Sequence, residues 1–315
     1  MSGRQDFILT LVIPVYHEAG HLHKNIHIIK DILDKHGIRH EIVLVDDGSQ
    51  DNTWDVVKAL SEELDTIRAV RLSRNFGKEA ALCAGLEMAE GDACVIMDAD
   101  LQHPPEIIPQ MLELWQTQEV DIVDGIKSSR GKESLFKKVS ARSFYSVLKK
   151  FSGLDLNNAS DFKLLDAKVV AAWRCMGERT TFFRGMSAWV GYKRVSVPFV
   201  VAERLEGTSK WSFLRLLRLA VIAITSFSSA PLQLVTFIGF LFFISSVVLG
   251  IQTLYMKFMN IAFSGFTTVI LLLLIIGSTL MISLGIIGTY IARIFDEVKQ
   301  RPRFIVLDKI DKKHG

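Results

Sequence analysis

The sequence has few of the features that mark a disulfide-bonded, zinc-ribbon or nucleic-acid-binding protein. Its 315 residues include three cysteines, and no two of them form a Cys-x-x-Cys pair. Cys83, Cys94 and Cys175 each lie in an apolar pattern, which is typical of small buried residues in a reducing compartment. The formal net charge is only +3, and so weak a field indicates no nucleic-acid partner. What the chain has instead is an excess of apolar residues, with a mean hydropathy of +0.28.

Charge is absent from two long stretches in the last third of the chain, residues 231–256 and 265–292. Each exceeds the roughly 20 apolar residues that a helix needs to cross a bilayer core. The short connector, 257–264, predicts a transmembrane hairpin and contains a single basic residue, Lys257. More basic residues flank the hairpin: Lys210, Arg215, Arg218, Arg293, Lys299, Arg301 and Arg303. The positive-inside rule therefore predicts that the N-terminal domain and both termini are cytoplasmic.

These segments divide the chain into four parts. Residues 1–210 form a soluble domain, and 211–229 form a juxtamembrane segment whose apolar residues and two arginines are typical of a helix in the headgroup layer. Residues 230–292 are predicted to hold the two transmembrane helices, at about 231–256 and 265–292, and 293–315 to form a cytoplasmic tail.

The soluble domain alternates apolar, strand-like runs with helical patterns. Strands are predicted at 10–14, 41–45, 67–71, 94–97 and 121–123, and helices near 19–36, 53–64, 78–89, 105–116 and 133–151. This βαβα order predicts a doubly wound, Rossmann-like α/β domain with a parallel sheet. Its strands are almost continuously apolar, as expected when helices cover both faces.

An acidic sequence, Asp98-Ala99-Asp100-Leu101-Gln102, follows the apolar run 93–97. Two carboxylates at the end of a buried strand offer hard oxygen ligands, which suit Mg²⁺ or Mn²⁺ bound together with substrate phosphates. In open α/β sheets, ligands bind beyond the carboxyl ends of the strands. The same short acidic pattern also occurs in solvated turns, so this pair by itself is a weak signal.

Two further loops follow early strands and should meet Asp98 at the same edge of the sheet. One is Pro14-Val15-Tyr16-His17-Glu18, and the other is Asp46-Asp47-Gly48-Ser49. Asp46 and Asp47 could accept hydrogen bonds from a base or ribose, or the loop could be a simple turn that precedes a capped helix.

A third segment, Ser73 to Glu79, opens a helix and contains Arg74 and Lys78. Backbone donors and two cations at a helix start favour an anion. It is not a Walker A loop, because Leu72 and Glu79 stand where that motif needs glycine and a hydroxyl residue.

A competing interpretation comes from His17-Glu18-Ala19-Gly20-His21, which matches the H-E-x-x-H pattern of zinc metalloproteases. That chemistry needs both histidines on one face of a regular helix, but this motif begins just after a strand and contains Gly20. His27, the third candidate ligand, would lie about 15 Å along the helix axis from His17. We therefore expect no zinc protease site here.

Taken together, the motifs resemble the inverting family 2 glycosyltransferases that act on polyisoprenyl phosphate. The resemblance is closest to bacterial bactoprenol (undecaprenyl-phosphate) glucosyltransferases of O-antigen and lipopolysaccharide modification, and more distant to dolichyl-phosphate mannose synthase. It rests on the three loops and the 73–79 segment above, with Ser160-Asp161-Phe162-Lys163, Glu178-Arg179, Glu203-Arg204 and Gly207-Thr208-Ser209-Lys210-Trp211. The chain departs from the family pattern at four positions, so the resemblance leaves the donor sugar open: His17, His103, Ser160 and Lys163 stand where Asn, Asp, Gly and Arg are commoner.

The resemblance implies a GT-A type nucleotide-sugar-binding domain in a multi-pass protein of the bacterial inner membrane. It implies inverting transfer of a sugar, glucose from UDP-glucose, to undecaprenyl phosphate. Donors of the GlcNAc, mannose or aminoarabinose type, a processive polysaccharide synthase and a non-catalytic scaffold stay open as alternatives, as does a homo-oligomer.

The resemblance also assigns roles to residues. Asp98, Asp100 and Gln102 would hold Mg²⁺ or Mn²⁺. The catalytic residues would be Asp98, Asp100 and Asp161, of which Asp161 would be the catalytic carboxylate. The nucleotide-sugar donor would contact Pro14, Tyr16, Glu18, Asp46, Asp47 and Lys78. The phosphates or the polyisoprenyl-phosphate acceptor would contact Arg204 and Lys210.

Overall fold

The computed structural model describes residues 6–129, 159–179, 182–200, 228–259 and 265–311. The chain divides into two compact units, one within Met1–Ser212 and Arg301–Gly315 and the other within Phe213–Gln300. The predicted helix at 133–151, the segment 211–227, Arg204 and Lys210 lie outside the described residues.

The first unit alternates strands and helices, as predicted. Its elements are β1 (Leu9–Val15), α1 (Leu22–Lys35), β2 (His40–Asp46), α2 (Thr53–Glu63), β3 (Ile67–Leu72), α3 (Lys78–Met88), β4 (Ala93–Ile96), a 3-10 turn (Pro105–Ile107), α4 (Ile108–Thr117), β5 (Ile122–Ser129), β6 (Ala159–Asp166), α5 (Ala167–Cys175), α6 (Phe183–Trp189), β7 (Arg194–Val200) and β8 (Val306–Ile310). The α/β fold class is confirmed.

The strands form one eight-stranded sheet in the order β7-β5-β6-β4-β1-β2-β3-β8. The strands β4, β1, β2 and β3 are parallel, so their carboxyl ends share one edge. The expected parallel sheet is mixed in two places, because β6 runs antiparallel to β4 and β5, and β8 runs antiparallel to β3. Antiparallel neighbours need no crossover helix, which is why the βαβ pattern did not predict them.

The core explains why these segments fold as they do. In α1, Leu22, Ile26, Ile29 and Leu33 repeat at helical spacing and are fully buried against the sheet. On the other side, α3 lies so close to the sheet that a Cβ at Gly85 would come within 2.3 Å of a Val12 methyl group. Only glycine allows this approach, so Gly85 permits the close packing of α3, the helix that begins with Lys78.

The C-terminal segment returns to the sheet as β8. Buried Arg68 joins β8 to the interior through Asp311 at 2.8 Å and Glu41 at 2.9 Å. Trp54 adds a bond from its indole N–H to Asp308 at 3.3 Å. These residues belong to the predicted cytoplasmic tail, and β8 was not predicted as a strand because a five-residue, mostly exposed edge strand has little apolar pattern of its own.

The second unit contains α7 (Ala230–Phe258) and α8 (Phe266–Val298). Within them, Pro231–Met256 and Leu272–Val298 are long and apolar enough to cross a membrane. Large side chains such as Phe240, Phe243 and Leu274 are more than half exposed. These helices therefore present apolar surface around their circumference.

Candidate active site at the carboxyl ends of the parallel strands

The predicted meeting of loops is present in the structure. A cleft of about 300 Å³ lies at the carboxyl ends of β1, β2 and β4 and is lined by Pro14, Val15, Tyr16, Glu18, Asp47, Asn75, Gly77, Lys78, Ala81, Asp98, Ala99 and Asp100. The parallel register of β4-β1-β2 causes this convergence, because each strand delivers its following loop to the same edge.

The loop that carries Asp98 and Asp100 is held by hydrogen bonds on several sides. The backbone N–H of Asp98 donates to Nδ1 of His103 at 3.2 Å, and His103 itself stacks on Phe162. From α1, the side-chain amide of Asn25 donates to the Ala99 carbonyl at 2.7 Å. These bonds leave the Asp98 and Asp100 side chains directed at the cleft, whose walls they form.

Negative charge accumulates at this end of the cleft. Burial raises the pKa of Glu18 above its ordinary value, and the neighbouring carboxylates Asp100 and Asp98 raise it further. Three carboxyl groups that repel one another, two of them on one short loop, fit a divalent cation with a preference for oxygen ligands. Gln102 is placed differently, since it is absent from the described cleft lining and its amide N lacks a hydrogen-bond partner among the described residues.

A chain of alternating charges begins in the cleft lining with Asp98 and Lys78 and continues beyond it to Asp161 and Arg184. Lys78 Nζ lies 2.5 Å from Asp98 Oδ1 and 2.8 Å from Asp161 Oδ2. Arg184, on α6, places Nε 2.7 Å from Asp161 Oδ1 and a terminal nitrogen 3.2 Å from Oδ2. Asp161 is thus held between two cations, with only 12% of its side chain exposed.

This pairing decides the protonation state of Asp161. Burial opposes ionisation, but Arg184 and Lys78 together hold the pKa of Asp161 well below its ordinary value of 3.8. The pKa of Lys78 is in turn raised, because Asp161 and Asp98 outweigh the burial of the ammonium. Asp161 is therefore a carboxylate at physiological pH with little affinity for a proton, which suits an orienting group better than a general base.

Two residues around Asp161, Arg184 and Glu79, were not predicted from the sequence. Arg184 lies in a short helix with no recognisable motif, so nothing in the sequence indicated it. Glu79 was visible in the 73–79 segment but had no assigned role. Its Oε2 accepts a bond from the Phe183 N–H at 2.7 Å, which ties α3 to the start of α6, and burial raises its pKa to about 7.

Asp46 and Asp47 both make bonds within the protein. Asp47 accepts from the backbone N–H groups of Phe76 at 2.7 Å and Gly77 at 2.9 Å, and burial still raises its pKa. Asp46 is fully buried and accepts from the Ser49 N–H at 2.9 Å. Asp47 thus joins the loop after β2 to the start of α3, whereas Asp46 bonds within that loop, and of the two only Asp47 is part of the described cleft lining.

The zinc-protease interpretation is wrong, because the H-E-x-x-H motif is not helical. His17 has a positive φ of 57°, and α1 begins only at Leu22. Instead, His17 stacks on Tyr16 with ring centroids 4.0 Å apart, and its Nε2 accepts from the Gln50 N–H at 3.2 Å. The His17 ring therefore links the loop after β1 to the loop after β2.

The fold and the site together define a class of protein, an α/β domain with an acidic cleft at its parallel strand ends, joined to two apolar helices. Residues 10–170 match the family model described as glycosyl transferase family 2, and the chain belongs to that family. It is therefore a glycosyltransferase with a GT-A type domain, and the resemblance predicted from its motifs is confirmed.

Similarity to curated proteins extends over almost the whole chain. The prophage bactoprenol glucosyl transferase homolog of Escherichia coli (strain K12) is 35% identical, with 95% of this chain and 98% of that protein covered. The bactoprenol glucosyl transferase of Shigella phage SfV is 34% identical, with 96% and 99% covered. With the two apolar helices, these relatives indicate a membrane protein.

A solved structure also resembles the chain, the glucosyl-3-phosphoglycerate synthase of Mycobacterium tuberculosis in complex with Mn²⁺, UDP and phosphoglyceric acid. The sequence identity is 18%, the TM-score is 0.47, and 69% of this chain and 75% of that chain are covered. At a TM-score below 0.5, this likeness adds nothing to the family assignment.

Proposed function

We propose that this protein transfers glucose from UDP-glucose to undecaprenyl phosphate with inversion, which produces a lipid-linked sugar for modification of a cell-surface glycan. The observation that carries the proposal is the charged cluster of Asp98, Lys78, Asp161 and Arg184 at the cleft. It occurs in a chain 35% identical to a bactoprenol glucosyl transferase homolog over nearly its full length.

A divalent metal fits the donor set of the cleft. Asp98 and Asp100 offer carboxylate oxygens of the kind that Mg²⁺ and Mn²⁺ prefer, and burial together with the nearby charges of Asp100 and Asp98 raises the pKa of Glu18. Asp98 and Asp100 would hold the ion, with Gln102 proposed as a further ligand. When bound, it would neutralise charge on the diphosphate leaving group.

The acceptor phosphate is a nucleophile at neutral pH without a general base. A phosphate monoester has a second pKa of about 6, so it is mostly dianionic at neutral pH. In the proposed reaction, an acceptor phosphate oxygen forms a bond to the anomeric carbon, and the bond from that carbon to the UDP oxygen breaks, so the electron pair leaves with UDP. No proton has to be removed from the dianion, which agrees with a carboxylate at Asp161 that binds protons poorly.

Asp161 therefore acts in this proposal as an orienting group. It holds Lys78 and Arg184 by charge-assisted bonds of 2.7–3.2 Å. Lys78 lines the cleft, so its ammonium is available to phosphate oxygens on the donor or the acceptor. Losing Asp161 would free both cations from their present positions.

The nucleoside would lie against the other wall of the cleft. Pro14 and exposed Tyr16 offer an apolar and aromatic surface for the base, and Glu18 and Asp47 offer carboxylates for the ribose or base. Asp46 would contribute through the Asp47 loop that it stabilises. Arg204 and Lys210, which lie outside the described residues, are proposed to contact the phosphates near the membrane.

We further propose a bacterial inner-membrane location with the catalytic domain and both termini in the cytoplasm, since several basic residues flank the hairpin and its connector contains only Lys257. The proposed division is a domain at 1–210, an interfacial segment at 211–229, membrane helices within 230–292 and a tail from 293, of which 306–310 joins the sheet as β8.

The experiment is a donor and acceptor matrix with the purified full-length protein. UDP-glucose, UDP-GlcNAc and GDP-mannose are each incubated with and without undecaprenyl phosphate, and the lipid product is identified by mass spectrometry and its anomeric configuration by NMR. We expect a β-linked glucosyl lipid only with UDP-glucose and lipid together. Transfer from another donor would refute the glucose assignment, and product formed without the lipid would refute the acceptor.

A further inference from the structure

A second group of metal-ligating side chains lies on α1 and α2, and none of its members lines the cleft described above. His23 and His27 come from α1, and Glu63 is the last residue of α2. The potential ligand atoms of the three residues all lie within 4.8 Å of one another. The cluster is distinct from the H-E-x-x-H motif, whose histidines are His17 and His21.

Helix geometry produces this grouping. His23 and His27 are four residues apart and therefore share one face of α1, where their ring centroids lie 4.7 Å apart. Glu63 reaches both rings, with Oε2 at 3.0 Å from His23 Nε2 and Oε1 at 3.2 Å from His27 Nε2. Two successive turns of α1 and the end of α2 thus bring three potential metal ligands together.

The two imidazole-to-carboxylate separations, 3.0 and 3.2 Å, are close to the spacing of neighbouring ligands around a transition metal, and all three ligand atoms lie within 4.8 Å of one another. Zn²⁺ bonds of about 2.0–2.1 Å to imidazole and carboxylate place neighbouring ligand atoms of a tetrahedral ion roughly 3.3 Å apart. We propose that His23, His27 and Glu63 form a transition-metal site of the Zn²⁺ class, with water as the remaining ligand. The side chains are 53%, 31% and 47% exposed, so both an ion and its water can reach the site.

The chemistry separates this site from the cleft. Imidazole suits Zn²⁺, Cu²⁺ and Ni²⁺, whereas sites built from carboxylates suit Mg²⁺ and Mn²⁺. A saturating concentration of Mg²⁺ should therefore leave the histidine site open to Zn²⁺. The inference goes beyond the proposed sugar transfer and does not depend on it.

A metal ion bound by His23, His27 and Glu63 would link α1 to α2 near the cleft. Asn25 lies between the two histidines on α1, and its side chain holds the Ala99 carbonyl in the loop of Asp98 and Asp100. A metal bridge from α1 to Glu63 would restrain the helix that supports this loop. The expected result is a structural clamp whose effect appears first in thermal stability.

The test is a Zn²⁺ titration by calorimetry on the full-length protein, purified without a polyhistidine tag and kept in excess Mg²⁺. All variants carry Cys175→Ser, because Cys175, which the sequence pattern wrongly predicted to be buried, is an exposed thiol that could bind zinc. We expect His23→Gln and His27→Gln each to weaken Zn²⁺ binding at least about tenfold, since outer-sphere partners alone are worth about 10- to 100-fold. The control His36→Gln changes a histidine just after the end of α1 and should bind Zn²⁺ like the parent.

Two further measurements keep the result interpretable. Circular dichroism checks that each variant is folded, and Zn²⁺ should raise the melting temperature of the parent but not of the His23→Gln/His27→Gln double variant. A parent protein that binds no Zn²⁺ in excess Mg²⁺ would overturn the proposal. So would a folded double variant with the stoichiometry and affinity of the parent.

Discussion

Replacing Asp161 with asparagine is the most informative perturbation of the proposed active site. Asparagine keeps the size of the side chain but removes its charge, so Arg184 loses both carboxylate contacts, at 2.7 and 3.2 Å. Lys78 loses its bond of 2.8 Å and keeps only Asp98 as an anionic partner. The substitution therefore releases two cations beside the cleft while the surrounding core stays filled.

The size of the effect can be estimated from these contacts. A hydrogen bond to a charged group contributes about 1.5–3 kcal/mol, so two cationic partners correspond to about 3–6 kcal/mol if their placement matters in the transition state. Each roughly 1.4 kcal/mol changes the rate tenfold, which predicts a loss in kcat of roughly 10²–10⁴. Binding of UDP-glucose should change little, since Asp161 does not line the described part of the cleft.

The assay separates these quantities. UDP-glucose binding is measured by calorimetry and lipid-dependent turnover by product formation, for Asp161→Asn and for Asp121→Asn as a control. Asp121 is a buried carboxylate paired with Lys168 at 2.6 Å, and it is absent from the described cleft lining. We expect the control to keep turnover near that of the wild type.

The pH dependence distinguishes an orienting group from a base. Because Asp161 stays ionised far below neutral pH, the acid limb of wild-type turnover should follow the acceptor phosphate, near about 6. Asp161→Asn should lower the whole profile without moving that limb. An acid limb that disappears in the variant would show that Asp161 accepts the proton, and loss of donor binding with normal turnover of bound donor would move Asp161 to the nucleotide site.

Three other predictions follow from the site and the sequence. Asp100→Ala should abolish transfer while the protein stays folded, and EDTA should do the same reversibly; full transfer without divalent metal would contradict the assignment. Glu79 has a folded pKa raised from 4.5 to about 7, so its contribution to stability is present below about pH 4.5 and is lost as the pH rises through 7. Glu79→Gln should remove this decline in the free energy of unfolding, which is at most about 3 kcal/mol. Chemical denaturation of the wild type and the variant at pH 5 and pH 8 tests this. Equal pH dependence in the two proteins would contradict it. In a Cys175→Ser background, Ser264→Cys should react with an impermeant reagent outside intact cells and Lys299→Cys should not; the reverse pattern would mean an inverted topology.

The contacts of Asp161 also explain why its proposed role is narrower in the structure than in the sequence. In the sequence, Asp161 is one acidic residue in a motif and could equally take a proton or orient the acceptor. In the folded chain, it contacts Lys78 from α3 and Arg184 from α6, which are 83 and 23 residues away. Only these contacts lower its pKa and make the orienting role the better explanation.

Local pattern alone determined much of this protein. Apolar runs of strand length specified β1 to β5, since a strand buried on both faces needs no partner to be recognised. Two uncharged stretches specified the apolar helices, and the order of the acidic loops identified the metal-binding candidates and the family. These features depend on residues close in sequence, which is why a single chain reveals them.

Tertiary structure decided what depends on residues far apart. The antiparallel strands β6 and β8, the salt bridges of Arg68, and the pairing of Arg184 with Asp161 all join segments whose spacing carries no periodic signal. For His17, the residue pattern already argued against a zinc-protease helix, and the positive φ in the folded chain gives the backbone reason. Charge, burial and distance act through space, so the protonation of Asp161 and the partners of Glu63 became defined only when the chain was folded.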